Sequence, residues 1–232
     1  MNAGSVSHAL SGPVEDYLKA IYDLELVGEP ASTNDIADRL AISPASVSGM
    51  VRRLSDQGLV THEPYRGVRL TEAGRRAALG TLRRHRILEC YLTEVLGYPW
   101  DRVHAEAERL EHAASEELVE RMASALGDPV LDPHGAPIPT RDGRVEEATL
   151  RTLAAAEPGE QVRVRRVHDK DPARLRYLAE LGIRPGSVVR ILDKAPFDGP
   201  ITLWVDAAGG GAARAVGVGL AGQVYIESAA VD

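Results

Sequence analysis

A chain of 232 residues with 44% hydrophobic content and one cysteine, Cys90, carries enough apolar material for a sizeable core and excludes an intrachain disulfide or a cysteine-built zinc cage. No apolar run approaches the roughly 18 to 20 residues of a bilayer span, and MNAGSVSHAL lacks a basic segment followed by an apolar one, so a cytoplasmic protein without membrane contact is expected. The net charge of −7 argues against nucleic acid until its distribution is read: Arg39 to Arg86 holds ten arginines and no lysine against Asp56, Glu63 and Glu72, a balance of +7 that leaves −14 on the rest.

Ser11 and Pro13 suit a helix start, after which Tyr17, Leu18, Ile21, Leu24 and Val27 recur near helical spacing. Thr33 introduces NDIADRLAI, apolar at Ile36, Ala37 and Leu40. SPASVSGMVRRLSDQG follows, with Val47, Met50, Val51 and Leu54 on one face and Gly58 at its end. Two short helices joined tightly at Ile42 to Pro44 make a helix-turn-helix, and LVTHEPYRGVRLT adds a hairpin wing turning near Arg66 and Gly67. On the second helix Ser43, Ser46 and Ser48 offer donors to phosphates or base edges, while Pro44, Ala45 and Gly49 allow close approach or contact with thymine methyls. Arg52, Arg53 and Arg66 read as phosphate contacts, against the alternative of ordinary solvated surface.

Glu72 to about Leu96 is expected to be helical, and WDRVHAEAERLEHAASEELVERMASAL reads as one long acidic helix. On it His104, Glu108, Glu111 and His112 fall at i, i+4, i+7 and i+8 and share a face, and His85 and Glu89 form an i, i+4 pair on the preceding helix. These six donors suffice for two sites for Mn²⁺, Fe²⁺, Zn²⁺ or Co²⁺, and they equally describe a solvated acidic face paired with Arg102, Arg109 and Arg121. Asp16, in the first turn of the first helix, complements the helix dipole.

DPVLDPHGAPIPTRDGRVEE, rich in Pro, Gly and Asp, is a loop, and from about Gly159 the character turns to β, in EQVRVRRV, GSVVRIL, PITLWV and GQVYIE, with one helical piece, PARLRYLAELG. A small SH3-type barrel accommodates that pattern, with Ala207 to Ala213 as a flexible turn. Gly217, Gly219 and Gly222 match G-x-G-x-x-G but lead into a strand, which argues against a dinucleotide site. Cys90 reads as a core residue, His62 and His134 as structural or exposed, and His8 as part of a mobile N-terminus.

Taken in order, VEDYLKAIYDL, DIADRLAISPASVSGMVRRLSDQGLV with the wing HEPYRGVRLTEAGR, RRHRILE, VHAEAERLEH, DPHGAPIP and LAELGIRPGSVVRI resemble the diphtheria toxin repressor and manganese transport regulator family. The resemblance implies a mainly α chain with a small β domain. A winged helix-turn-helix would cover 1–76, a helical metal-binding and dimerisation domain 77–147, a linker 148–158, and an SH3-like domain of the ferrous-iron-transport-accessory type 159–232. It also implies a primary metal site at Asp16, Glu108, Glu111 and His112, and an ancillary one at His85, Glu89 and His104 with Asp171. Arg174 stands where some members place a neutral ligand, and His168 is the alternative donor there. Iron-responsive members carry Met and Cys at the positions of Asp16 and Glu108, so carboxylates at both point to Mn²⁺. Lys19 stands where some manganese regulators have a further carboxylate.

The expected function is a metal-dependent repressor of metal homeostasis with Mn²⁺ as co-repressor, bound as a homodimer to a palindromic operator in double-stranded DNA. Fe²⁺ is the alternative activator, and Co²⁺ or Zn²⁺ would substitute in vitro. The competing readings are a metal-independent winged-helix regulator sensing an organic ligand, and a metal enzyme. Against the enzyme stand the absence of H-E-x-x-H and of any evident nucleophile–base pair.

Overall fold

The computed structural model describes residues 10–26, 30–63, 66–146, 148–206 and 210–229, so His8, Val27 and Ala207 lie outside the described residues. The chain forms two compact units, the first of Met1–His85, Leu110–Ala114 and Pro139–Val145, the second of Arg86–Arg109, Ser115–Ile138 and Glu146–Asp232. Among the described residues no helix is long and apolar enough to cross a membrane.

In the first unit, helix α1 (Gly12–Glu25) starts after extended Ser11 with Pro13 in its first turn, where the missing proline N–H costs nothing. Helix α2 (Thr33–Leu40) begins at Thr33 and is capped by the residue before it: the Ser32 hydroxyl accepts from the Asp35 N–H at 3.1 Å, and the Asp35 carboxylate accepts from the Ser32 N–H at 3.3 Å. Ala41, in the left-handed region at φ 53°, turns the chain into α3 (Pro44–Asp56), capped by Ser43. The wing is the antiparallel pair β1 (Val60–Glu63) and β2 (Gly67–Leu70), with Val60 opposite Leu70, and it leads into α4 (Glu72–Glu94). Leu18, Ile21 and Tyr22 of α1 share one core with Ile36 of α2, Val47, Val51 and Leu54 of α3 and Val68 of the wing, while Met50 is only half-buried.

The expected single acidic helix is two helices, α5 (Val103–Leu110) and α6 (Glu116–Ala125). The Leu110 carbonyl accepts from the N–H groups of both Ala113 and Ala114 at 3.0 Å, which closes α5 in a tight turn. Ser115 then accepts from the Leu118 N–H at 3.2 Å and opens α6, with Glu116 and Glu117 in its first turn. The i+7 and i+8 geometry expected for Glu111 and His112 therefore does not hold; both sit in the turn beyond the helix.

The second unit contains a six-stranded antiparallel sheet of β3 (Arg151–Thr152), β4 (Gln161–Val167), β5 (Val188–Lys194), β6 (Ile201–Val205), β7 (Ala212–Val216) and β8 (Val224–Ser228), in the order β3-β8-β4-β5-β6-β7. Helix α7 (Pro172–Glu180) places Leu175 and Leu178 in the same core as Val162, Val164, Ile191, Leu203 and Ile226. Register shifts at Val164/Arg166 and Ile191/Asp193 bend the sheet, as a small SH3-like domain requires. The segment 148–158, read as a linker, contributes β3 and the buried Leu153 and Ala156, and the Ala/Gly-rich stretch runs into β7. A two-residue strand is too short to show alternation, and AARAV carries a single β-branched residue, Val216, beside three alanines, a weak strand signal. A four-residue helix, α8 (Val218–Ala221), occupies the glycine motif before β8.

The loop 132–136 is locked to β4. Asp132 Oδ1 accepts from the N–H groups of His134 and Ala136 at 2.8 and 2.9 Å, and the Val167 N–H donates to the His134 carbonyl at 2.9 Å. Gly135 makes this approach possible: its φ is +87°, and a Cβ there would lie 1.9 Å from the Arg165 carbonyl oxygen. Gly135→Ala is expected to destabilise the protein by about 2 kcal/mol or more, read as a lowered midpoint in a thermal melt followed by circular dichroism; an unchanged midpoint would contradict this packing.

Candidate metal centre and DNA-facing surface

Asp16 of α1 and Glu111 and His112 of the turn after α5 are brought together in the first unit, with one ligand atom from each lying within 4.8 Å of the others. His112 Nε2 lies 2.9 Å from Asp16 Oδ1 and 3.6 Å from Glu111 Oε1. Gly12 lets the imidazole lie against the start of α1, because a Cβ there would be 3.2 Å from the ring. Two carboxylates and an imidazole in this space fit a divalent ion that accepts oxygen and nitrogen donors. Glu108, expected to join them, belongs to the second unit, where its carboxylate stands 3.8 Å from His104 Nε2.

Two residues that the sequence reading did not single out position this group. Glu15 Oε2 accepts from His112 Nδ1 at 2.6 Å, the carboxylate partner that commonly orients a ligating histidine. Arg84 donates Nε to the Glu111 carbonyl at 3.0 Å and pairs with Glu15, tying the turn to α1. No periodicity advertises either role, since Glu15 reads as a first-turn acid and Arg84 as part of a basic run. Glu111 itself is fully buried, with Lys19 Nζ 2.6 Å from Oε1 and His85 Nδ1 2.5 Å from Oε2. His85, which the resemblance assigns to the ancillary site, is thus bonded to Glu111, which the resemblance assigns to the primary one.

The charges balance unevenly. Burial alone would raise the Glu111 pKa, but the hydrogen bond and charge of His85, with Lys19, outweigh it and hold the carboxyl below its ordinary value. Burial raises Asp16, with Glu111 adding repulsion, against the lowering pull of His112 and Lys19. Burial disfavours charge on His112, yet its bond to Glu15 and the charges of Asp16 and Glu111 hold its pKa above the usual imidazole value.

A second group, Glu89, His134 and Asp169, gathers in the second unit. Glu89 and His134 are fully buried, Glu89 Oε1 is 3.1 Å from His104 Nδ1, and Asp169 Oδ2 is 3.7 Å from the same nitrogen. His134 Nε2 donates to the Trp100 carbonyl at 2.8 Å, which turns Nδ1 toward Glu89 at 3.8 Å. The carboxylates Glu89, Asp132 and Asp169 around it overcome the opposing effect of burial and raise its pKa to about 9. His134 is therefore neither exposed nor an ordinary core histidine; its position in a Pro/Gly loop concealed this. The structure sets Asp169 there instead of Asp171, which caps α7 by accepting from the Ala173 and Arg174 N–H groups at 2.9 and 3.3 Å and pairs with Arg174 at 3.0 Å. His168 is exposed and does not belong to this group.

On α3 and the wing, Ser43, Pro44, Ala45, Ser46, Ser48, Gly49, Arg52, Arg53 and Arg66 are all exposed. The serines already have intrahelical bonds: Ser43 and Ser46 hydroxyls lie 2.9 Å apart and the Ser48 hydroxyl donates to the Pro44 carbonyl at 3.1 Å. Much of the arginine excess is neutralised internally, Arg39 by Asp23, Arg75 by Glu25, Arg76 by Glu72 and Arg84 by Glu15. The basic surface is correspondingly narrowed toward the exposed Arg52 and Arg53 of α3 and the exposed wing residue Arg69.

Residues 9–68 match the family described as iron dependent repressor, N-terminal DNA binding domain, residues 71–140 its metal binding and dimerisation domain, and residues 151–228 the FeoA domain. The diphtheria toxin repressor of Corynebacterium diphtheriae is 34% identical over 203 residues, 82% of this chain and 87% of that one. The iron-dependent repressor IdeR of Mycobacterium tuberculosis is 43% identical over 125 residues, and the match spans about half of each chain, 54%. A solved manganese-dependent transcriptional repressor in complex with manganese is 42% identical, superimposes with a TM-score of 0.85 and covers 93% of this chain and 100% of its own. The chain belongs to the diphtheria toxin repressor family of metal-dependent transcriptional repressors, DNA-binding regulators rather than enzymes.

Proposed function

We propose that this chain is a Mn²⁺-activated repressor of metal-homeostasis genes that works in the cytoplasm as a homodimer on a palindromic operator. The observation that carries the reading is the convergence of Asp16, Glu111 and His112, two hard oxygen donors and one imidazole with no sulfur among them. Glu89, His104, His134 and Asp169 form the second donor group, and Glu108, which the resemblance assigns to the primary set, stands by His104. The domains assigned are 1–76 for DNA binding, 77–147 for metal binding and dimerisation, and 159–232 for the SH3-like part. Fe²⁺ is the second reading, favoured by the iron-dependent repressors among the relatives.

When bound, the divalent ion supplies the positive charge that turns repulsion between Asp16 and Glu111 into attraction. The chain's own residues do the rest. Asp16 lies on α1, and α1 and α3 belong to one core in which each packs against α2, so fixing Asp16 also constrains the helix that presents Ser43 to Arg53. Glu15 orients His112, and Arg84 holds the turn that carries Glu111. Arg52, Arg53 and Arg66 meet phosphates, and the short side chains at Pro44, Ala45 and Gly49 allow close approach to base edges.

A panel of Mn²⁺, Fe²⁺, Zn²⁺ and Co²⁺ titrated into binding of DNA from the protein's own promoter region, at fixed salt, is expected to show activation by Mn²⁺; activation by Fe²⁺ at much lower concentration would establish the second reading instead. Asp16→Ala is expected to abolish metal stimulation in the same gel-shift assay while leaving the thermal midpoint of the metal-free protein near the parent's, and undiminished stimulation would refute the site. Glu15→Gln should weaken Mn²⁺ binding by roughly 10- to 100-fold, measured by calorimetric titration. Arg52→Ala and Arg53→Ala should each weaken DNA binding across sequences and reduce the slope of log affinity against log salt by about 1.

A further inference from the structure

Lys19 lies on α1 one turn beyond Asp16, and its ammonium is 2.6 Å from Glu111 Oε1, the same oxygen that stands 3.6 Å from His112 Nε2. The Lys19 side chain is 14% exposed and that of Glu111 0%. A positive charge of the protein's own therefore sits on a carboxylate oxygen turned toward the donor group assigned to the metal. We propose that Lys19 is a tethered cation which holds this oxygen in the metal-free protein and which a divalent ion must displace, so that Lys19 sets the metal concentration at which the regulator responds. The proposal rests on the assignment of Asp16, Glu111 and His112 as ligands.

The physical case is competition for one buried charge. Glu111 has no exposed surface, so without metal its negative charge needs cations within the fold, and Lys19 and His85 flank it on its two oxygens. An ion bound by the same carboxylate brings two further positive charges beside the ammonium, and at separations of a few ångströms in a poorly screened pocket the two cannot share the oxygen. The lysine can leave, because its four-carbon stem is flexible and its side chain, 14% exposed, is not fully enclosed. The ion pair then stabilises the metal-free state alone. By linkage, whatever stabilises only that state weakens metal binding by the same factor. Lys19 also lowers the pKa of Asp16, so its charge is felt by a second member of the donor group. A purely structural salt bridge would persist in both states and leave metal affinity unchanged.

The test is the Mn²⁺ dissociation constant of the full chain without DNA, measured by competition against a chelating fluorophore, for the parent, Lys19→Gln, Lys19→Met and Asp16→Ala. Lys19→Gln keeps a hydrogen-bond donor for Glu111 while removing the charge, and Lys19→Met removes both, so the pair separates charge from bonding. Both are expected to bind Mn²⁺ more tightly by about tenfold, the scale of one well-made, partly buried charge pair. Thermal melts provide the second readout: the midpoint of the metal-free protein should fall in Lys19→Gln, and that of the Mn²⁺-saturated protein should stay at the parent value. Equal or weaker Mn²⁺ affinity in Lys19→Gln, or an equal fall of both midpoints, overturns the role of Lys19. Equal Mn²⁺ affinity in the parent and Asp16→Ala overturns the metal-site assignment itself, a result distinguishable from failure of the lysine proposal alone.

Discussion

The carboxylate of Glu111 is buried without exposed surface, and the arrangement of the first unit follows from the need to balance it. An uncompensated buried charge costs several kcal/mol, and removing one partner of a buried pair typically costs about 3–5 kcal/mol. Two chain segments distant in sequence answer that need, α1 through Lys19 and α4 through His85, and the adjacent His112 stands 3.6 Å from the same carboxylate. The same charge that would destabilise the fold alone makes these segments converge.

Convergence depends on a break in regular structure. Had the acidic stretch continued as one helix, its backbone would have been committed to the i to i+4 ladder through Glu111 and His112. The turn closed on the Leu110 carbonyl and restarted by Ser115 releases both residues to face α1. Arg84 makes the turn and α1 a single assembly by bonding the Glu111 carbonyl and Glu15 together. Because α1 and α3 belong to one core, each packed against α2, Asp16 and α3 are mechanically connected through packed side chains.

The second unit solves a similar problem with different means. Its buried Glu89 is met by histidines, His104 at 3.1 Å and His134 at 3.8 Å, and the loop bearing His134 is fastened to β4 by main-chain bonds that Gly135 permits. Trp100 stacks on His134 at a centroid distance of 5.7 Å and supplies the carbonyl that fixes its orientation. Asp171, although chemically suited, is used locally as a helix cap, and the carboxylate two residues earlier takes its place in the group.

Much of this was legible from residues alone, because it rests on local rules. Caps, glycine stops and apolar periodicity located α1 to α4, the wing and four of the six strands, and the charge reversal marked the DNA-facing unit. Glu111 and His112 were visible as donor types as well, whereas Asp16 read as a helix-dipole acid and entered the donor set only through the family resemblance. What the tertiary structure decided concerns pairs remote in sequence or choices between nearly equal local states: the split of α5 from α6, the two short or alanine-rich strands, Asp169 over Asp171, the burial of His134, and the placement of Glu15, Arg84 and Lys19 around the site. A helix and a capped turn differ by little locally, so packing selects between them, and a carboxylate's partner is set by which distant segment the core brings within 3 Å of it. Spacing along the chain determines which residues share a face; only the folded arrangement determines which faces meet.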